Sequence, residues 1–210
     1  MSLADLRREY LGQPLSESES EADPFAQFAH WFAQVRETDL DPTAMVLATA
    51  TREGRPSARN VLLKSVDGRG FVFYTNYNSR KARELEATGR ASLLFTWRSL
   101  ERQVRIDGTV EKVSTAESDA YFATRPIESR WSVYASNQSE VVDSRETLEL
   151  LFNAARERFE EDVPRPDWWG GYRVIPDEFE FWQGRPSRLH DRLRYVRESN
   201  GSWRRDRLAP

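Results

Sequence analysis

The residues best suited to chemistry in this chain are cations, and the most telling pair sits where helix electrostatics disfavours it. In YTNYNSRKARELEATG, from Tyr74 to Gly89, a strand end gives way to a helix that begins near Asn78 or Ser79. Ser79 is the N-cap candidate and Gly89 closes the C-terminus. Arg80 and Lys81 then fall in the first turn, where the partial positive charge of the backbone makes each cation cost roughly a few tenths of a kcal/mol. An anion bound at that terminus satisfies both side chains and the free N–H groups, and phosphate suits a guanidinium fork and an ammonium point best. The alternative is that both side chains simply point into solvent.

Three further groups carry chemistry. In ARNVLLK, Arg59 and Lys64 flank Val61, Leu62 and Leu63. Unpaired charge at the flank of a buried strand is costly, so each is expected to meet something negative. Five residues apart they face opposite sides of a flat strand, which calls for a bulge or for two different anions. In DAYFATRPIESR, Tyr121, Arg125 and Ser129 recur at spacings of four, so one helix would set a phenol, a guanidinium and a hydroxyl on one face as a second phosphate grip. Pro126 interrupts that helix, and a solvated face is the plainer reading. In EFWQGRPSRLHDR, Arg188, His190 and Arg192 alternate on extended chain and so share a side, after Trp182. A flat ring and an ionising ligand could meet there; core packing for Trp182 and carboxylate partners for the rest are the bland alternative.

These groups need a scaffold that is mostly strands. DPFAQFAHWFAQVRETDL reads as an amphipathic helix with Phe25, Phe28, Trp31 and Phe32 on its apolar side and His30 at the surface. From Ala44 come AMVLATAT, SARNVLLKSV, GFVFYTN, ASLLFTW and RQVRIDGTVEKV, with turn signals at Glu53-Gly54 and Asp67-Gly68. Val104, Ile106 and Val110 mark the buried side of the last, which has one wet face. Ser114 to Glu161 is mainly helical, after which GYRVIP, EFEFWQG, DRLRYVRES and GSWRRDRL return to strands, with WWGG before them as a turn. Strands in meander order with inserted helices predict a mainly β, α+β fold: an antiparallel, Greek-key-like barrel with peripheral helices.

Composition bounds the rest. The 210 residues suffice for one core, and we expect a barrel domain over residues 24–210 behind an N-terminal segment, residues 1–23, whose QPLSESESEAD stretch is too acidic and serine-rich to bury much and is expected to be mobile. A net charge of −3 without a basic block argues against nucleic acid as partner. Absent cysteines exclude thiolate chemistry and disulfides, and two histidines make a histidine-rich metal site unexpected. No apolar run reaches the ~20 residues a membrane span needs, and no apolar signal segment leads the chain, so a soluble cytoplasmic protein is the expectation. Dinucleotide (GxGxxG), P-loop (GxxxxGK[ST]) and GxSxG motifs are missing from the sequence.

ARNVLLK, FVFYTNYNSRKA, LERQVRIDGTVEKVS, YFATRP, SNQS, WWGGYRV, EFWQGRPSRLHDR and the terminal RLAP, in this order over nearly the whole chain, resemble the pyridoxamine 5′-phosphate oxidase family. The resemblance implies an FMN-binding split β-barrel working as a homodimer with flavin between subunits. It implies an FMN site at Arg59, Val61, Leu62, Leu63, Lys64, Tyr74, Thr75, Ser79, Arg80, Lys81, Gln103, Gln138, Ser139, Trp182 and Arg192. The implied substrate site is Lys64, Tyr121, Arg125 and Ser129 on the substrate phosphate, with Arg188 and His190 over the pyridine ring as the catalytic candidates, and Arg7 and Tyr10 on a covering N-terminal segment. The implied reaction is a two-electron oxidation of pyridoxamine or pyridoxine 5′-phosphate to pyridoxal 5′-phosphate: hydride leaves C4′ for FMN, the amine route releases ammonia, and O2 reoxidises the flavin to give H2O2. Arg188 is expected to act electrostatically, because arginine rarely deprotonates.

One stretch departs from the family pattern. After Ser129 the family has glutamine, an aliphatic residue, a glycine and Ala-Trp, where this chain reads RWSVYAS. Arg130, Trp131 and Ser132 are expected to disturb a backbone position that needs φ > 0, and with it substrate fit and the choice between amine and alcohol. Two other readings stand beside the oxidase. Another split-barrel flavin enzyme would keep Arg59, Lys64, Arg80 and Lys81 without needing Tyr121, Arg125, Arg188 and His190 together; a non-catalytic carrier of FMN or pyridoxal phosphate would not need the RLHDR segment.

Overall fold

The computed structural model describes residues 2–6 and 8–210. Its centre is one nine-stranded sheet, antiparallel at every pairing, whose main path runs β2 (Pro56–Leu62), β1 (Ala44–Ala50), β5 (Arg90–Trp97), β6 (Arg102–Lys112), β7 (Trp169–Gln183), β4 (Gly70–Asn76), β3 (Ser65–Asp67). β8 (Asp191–Arg197) pairs with β7 and β9 (Trp203–Arg207) with β8. The sheet curls into the open barrel expected of a mainly β chain, with five α-helices on its outside.

β7 corrects the expected division into two strands. GYRVIP and EFEFWQG are one 15-residue strand. It breaks its register with β6 between Asp107 and Gly108, where Gly108 faces Pro176. Proline has no N–H for the ladder, so a bulge is where a strand tolerates it. A Cβ on Gly108 would lie 2.1 Å from the Ile175 carbonyl oxygen, so only glycine lets the two backbones approach this closely. The first part of β7, up to Val174, takes β4 as its second partner, and the part from Glu178 takes β8. The two glycines of WWGGYR also lie inside β7 rather than in a turn.

α1 (Pro24–Val35) is capped by the Asp23 carboxylate, which accepts from the Phe25 N–H, and it drives its aromatic stripe into the barrel. Phe28 packs edge-on against Phe71 and Phe95, at 4.9 and 5.2 Å between ring centres, and Trp31 against Phe181 at 5.3 Å. Burying Phe28 removes a whole phenyl ring from water, a gain of about 2–3 kcal/mol. His30 is exposed, as expected. The stretch after β6 is three helices, α3 (Thr115–Ala123), α4 (Ile127–Ala135) and α5 (Arg145–Phe159), with the expected break at Pro126. Phe122, Val133, Val163 and Trp169 form a small second core that fixes α3 and α4 against the start of β7.

Residues 8–21 lie along the C-terminal strands. Leu15 is buried, Arg207 grips both Glu17 carboxylate oxygens, and Tyr195 donates to the Glu21 carbonyl. Among the described residues no helix is long and apolar enough to cross a membrane, and no cluster of His, Asp or Glu has the makings of a metal site.

Candidate functional site

α2 (Arg80–Thr88) begins and ends as its residues dictate: Ser79 caps the N-terminus and Gly89, in the left-handed conformation, closes it. The two cations of its first turn do different jobs. Arg80 turns outward along the helix and pairs with Glu84 one turn on, at 2.8 Å. Lys81 turns inward, is only 8% exposed, and donates to Gln138 Oε1 (2.8 Å), Thr75 Oγ1 (3.1 Å) and Ser79 Oγ (3.3 Å). No carboxylate neutralises it among the described residues. Burial, reinforced by the nearby Arg59 charge, pulls its pKa from 10.5 down to about 8.

Lys81 forms part of the wall of a cavity of about 490 Å³. Among the described residues Lys64 and Arg125 contribute two more cations, and no Asp or Glu lines it. Val61, Leu62, Tyr74, Thr75, Tyr121, Ser129 and Gln138 complete the part of the expected site that gathers here. Tyr121, Arg125 and Ser129 do converge, though not on one helix face: Tyr121 comes from α3, Arg125 from the junction, and Ser129 from α4. The Arg125 guanidinium lies 4.6 Å from the centre of the Trp169 ring and donates to the Ser129 carbonyl at 2.8 Å. Burial lowers its pKa, as desolvation of an unneutralised cation should. Tyr74 stacks on Tyr121 at 3.9 Å and on Trp169 at 5.5 Å, nearly parallel to both.

Arg59 stands apart from that wall. Its guanidinium reaches the Leu47 carbonyl, Thr49, Ser57 and, at 3.3 Å, the carboxylate of Glu84. Arg59 thus meets the expected negative group, whereas Lys64 has no ion-pair partner among the described residues. Glu84 was not legible as a site residue, although its i+4 relation to Arg80 was a signal; it is 4% exposed and also accepts from Thr49 and Ser57, both at 2.5 Å. Desolvation alone would raise its pKa, and the hydrogen bonds from Ser57, Thr49, Arg80 and Arg59 together overcome it, bringing it to about 2. Leu63 faces the core, so the side chain lies away from the cavity. Ser139 accepts the Arg80 N–H with its hydroxyl and has φ of 79°.

The remaining residues form a second group at the far end of β7. Gln103, Trp182 and Arg192 stand side by side on β6, β7 and β8. Arg192 pairs with Glu180 at 2.7 Å, and His190 lies 4.7 Å from the Trp182 ring centre. Tyr10 sets its edge against both rings, at 5.5 Å from Trp182 and 5.3 Å from His190. Arg188 does not alternate with His190 and Arg192 on extended chain. It belongs to a 3-10 turn in which Ser187 and Arg188 both have positive φ, 56° and 62°. Two consecutive left-handed residues of this kind cost roughly 1–2 kcal/mol each, strain that concentrates at functional sites. Arg7 lies outside the described residues. Trp169 and Trp182, one from each group, are thirteen residues apart on a single strand, a contour of roughly 40 Å.

The departing RWSVYAS stretch is helical up to Ala135, with Ser136 the extended C-cap of α4. Ser132 sits inside α4 with no positive φ, so the expected backbone disturbance is absent; its hydroxyl donates to the Ser129 carbonyl at 2.9 Å and the residue lines the cavity. Trp131 packs edge-on against Phe152 of α5 and donates to the Glu160 carbonyl.

Comparison with known proteins agrees with this architecture. A family model described as "Pyridoxamine 5'-phosphate oxidase" matches residues 32–159, and one described as "Pyridoxine 5'-phosphate oxidase C-terminal dimerisation region" matches residues 169–210. The chain is similar to a pyridoxine/pyridoxamine 5′-phosphate oxidase of Rubrobacter xylanophilus, with 58% identity over 99% of this chain and 96% of the relative. Its likeness to one of Burkholderia ambifaria is 57%, over 100% and 99%. Among solved structures it resembles PhzG from Burkholderia lata 383 in complex with tetrahydrophenazine-1-carboxylic acid, with 35% identity and a TM-score of 0.89 over 95% of this chain and 99% of that one. A pyridoxamine 5′-phosphate oxidase-related, FMN-binding protein from Nostoc punctiforme PCC 73102 shares the fold, with 15% identity and a TM-score of 0.73 over 94% and 100%. With family models over both parts of the barrel and such identity along its whole length, the chain belongs to the pyridoxamine 5′-phosphate oxidase family of oxidoreductases.

Proposed function

We propose that this protein binds FMN and oxidises pyridoxamine 5′-phosphate and pyridoxine 5′-phosphate to pyridoxal 5′-phosphate, with O2 as acceptor, as a homodimer. The observation that carries the reading is a cavity with three cations and no carboxylate on its wall among the described residues, since an anion bound there relieves the cost of burying unneutralised charge. The residues fit a flavin phosphate: Lys81 is buried, charged and unneutralised beside Ser79, at the N-terminus of α2. Arg125, Tyr121, Ser129 and Lys64 are a second grip on the same cavity and suit the phosphate of the substrate. Two phosphorylated ligands account for two cationic groups in one chain.

Bound FMN would supply the two-electron acceptor and the route to O2, giving H2O2. The protein's share is position and charge. Arg125, braced by Trp169 and the Ser129 carbonyl, holds its guanidinium plane ready for a phosphate. Tyr74 and Tyr121 form a flat wall beside it. Gln103, Trp182, Arg188, His190 and Arg192 lie at the far end of β7 from this cavity, which supports a site completed by the same residues of a second copy. The match of residues 169–210 to a dimerisation region supports the same arrangement.

The test is anaerobic mixing of the purified protein, loaded with FMN, with pyridoxamine 5′-phosphate while flavin absorbance is followed. Bleaching that reverses on admitting air, with pyridoxal phosphate formed, is the expected result; an unchanged flavin with both phosphorylated vitamers would refute the reading. Similarity to PhzG favours one second reading, oxidation of a different reduced ring such as a carboxylated tricycle. Bleaching by a phosphate-free ring acid, with none by the vitamers, would select it.

A further inference from the structure

The loop between β7 and β8 makes one hydrogen bond that decides a protonation state. The backbone N–H of Arg185 donates to Nδ1 of His190 at 3.1 Å. A backbone N–H can only donate, so Nδ1 must present a lone pair, and the proton of the neutral ring must be on Nε2. The contact exists because the chain doubles back between the two residues, through the left-handed turn at Ser187 and Arg188. Arg185 is itself anchored: its guanidinium donates to the Gly12 carbonyl and lies 3.5 Å from the Asp191 carboxylate. Trp182 and the edge of Tyr10 pack on the ring. With Nδ1 taken and both neighbours apolar at the contact, Nε2 is the imidazole's one free polar atom and has no partner among the described residues.

We propose that this turn fixes His190 as the Nε2–H tautomer, so that His190 serves the reaction as a neutral hydrogen-bond donor to an acceptor atom of the bound substrate and not as a base. The tautomer rests on the turn alone; that His190 meets a substrate rests on the oxidase reading. A base at this position would need its lone pair on Nε2, whereas in this tautomer the one basic lone pair is on Nδ1, where it accepts the Arg185 N–H. The tautomer therefore excludes proton abstraction by His190 and leaves a role in binding and orienting the ring. It also gives the strained turn a purpose, since the chain doubles back through Ser187 and Arg188 to bring the ring at 190 to the Arg185 N–H.

The chain has two histidines, His30 and His190, which makes the proposal directly measurable. Full-length protein labelled with 15N-histidine, loaded with FMN, is examined by long-range 1H–15N correlation at neutral pH, with His30→Gln to assign the signals. The expected spectrum has the His190 Nδ1 unprotonated and its Nε2 protonated; a protonated Nδ1 overturns the proposal whatever the enzyme turns over. Kinetics give the second arm. His190→Gln keeps an N–H donor near the place of Nε2 and is expected to hold KM within about threefold, while His190→Ala raises it about tenfold, the size of one hydrogen bond. A Gln variant as impaired in KM as the Ala variant, or a loss confined to kcat in both, overturns the donor role. If the spectrum is as expected and neither vitamer is oxidised, the oxidase reading falls and the donor role with it, while the tautomer stands.

Discussion

The Lys81 ammonium stands 2.8 Å from the Gln138 amide oxygen, with hydroxyls from Thr75 and Ser79 as further partners and no ion-pair carboxylate among the described residues. Neutral dipoles solvate the charge without cancelling it, so the site keeps a net attraction for an anion. Lys81→Met removes a charge-assisted bond to a phosphate and is expected to weaken FMN binding roughly ten- to a hundredfold, measured by flavin fluorescence titration. Stability of the FMN-free protein to urea should stay level or rise, because an uncompensated buried charge is gone.

Two groups set opposite pH responses. Lys81 titrates near 8 in the folded chain against 10.5 when unfolded, so between those values the unfolded chain holds more protons. The FMN-free protein should therefore gain stability as pH rises from about 8 to 10.5, while FMN affinity falls over the same rise as the cation is lost. Glu84 behaves conversely, with a folded value of about 2 against 4.5. Its contribution is complete above pH 4.5 and disappears as pH falls toward 2. Urea midpoints and FMN titrations across pH check both.

Glu84 holds Arg59 and Arg80 together, and neither guanidinium has another carboxylate at ion-pair distance among the described residues. Glu84→Gln leaves two cations facing each other and is expected to cost roughly 2 kcal/mol in chemical denaturation, less than a fully buried pair because Arg80 is exposed. A loss of unfolding free energy below a few tenths of a kcal/mol in urea would show that solvent, not Glu84, screens the pair.

Arg125 lies on a cavity wall shared with Lys81 but touches different partners. Arg125→Met is expected to raise KM for the phosphorylated vitamers roughly ten- to a hundredfold and to leave FMN affinity within about twofold. Equal losses in both would mean that the two grips are one.

Much of the fold was legible because it is local. Ser79 and Gly89 mark the ends of α2, Asp23 starts α1, and alternation on β6 assigns Val104 and Ile106 to the core, as buried contacts bear out. The cations that matter were legible too, as charges set where a helix terminus or a buried strand makes them expensive. Tertiary structure decided which of them remain free. Arg59 and Arg80 find Glu84, whereas Lys81, Lys64 and Arg125 find no carboxylate among the described residues, and pairing across folded elements has no signature in sequence spacing. Only the fold makes GYRVIP and EFEFWQG one strand, because a proline that reads as an ending is tolerated opposite a bulge at Gly108. That one strand holds the two groups of site residues apart, and a turn with two left-handed residues, invisible to a period-two pattern, takes Arg188 off the shared side and sets the Arg185 N–H against His190.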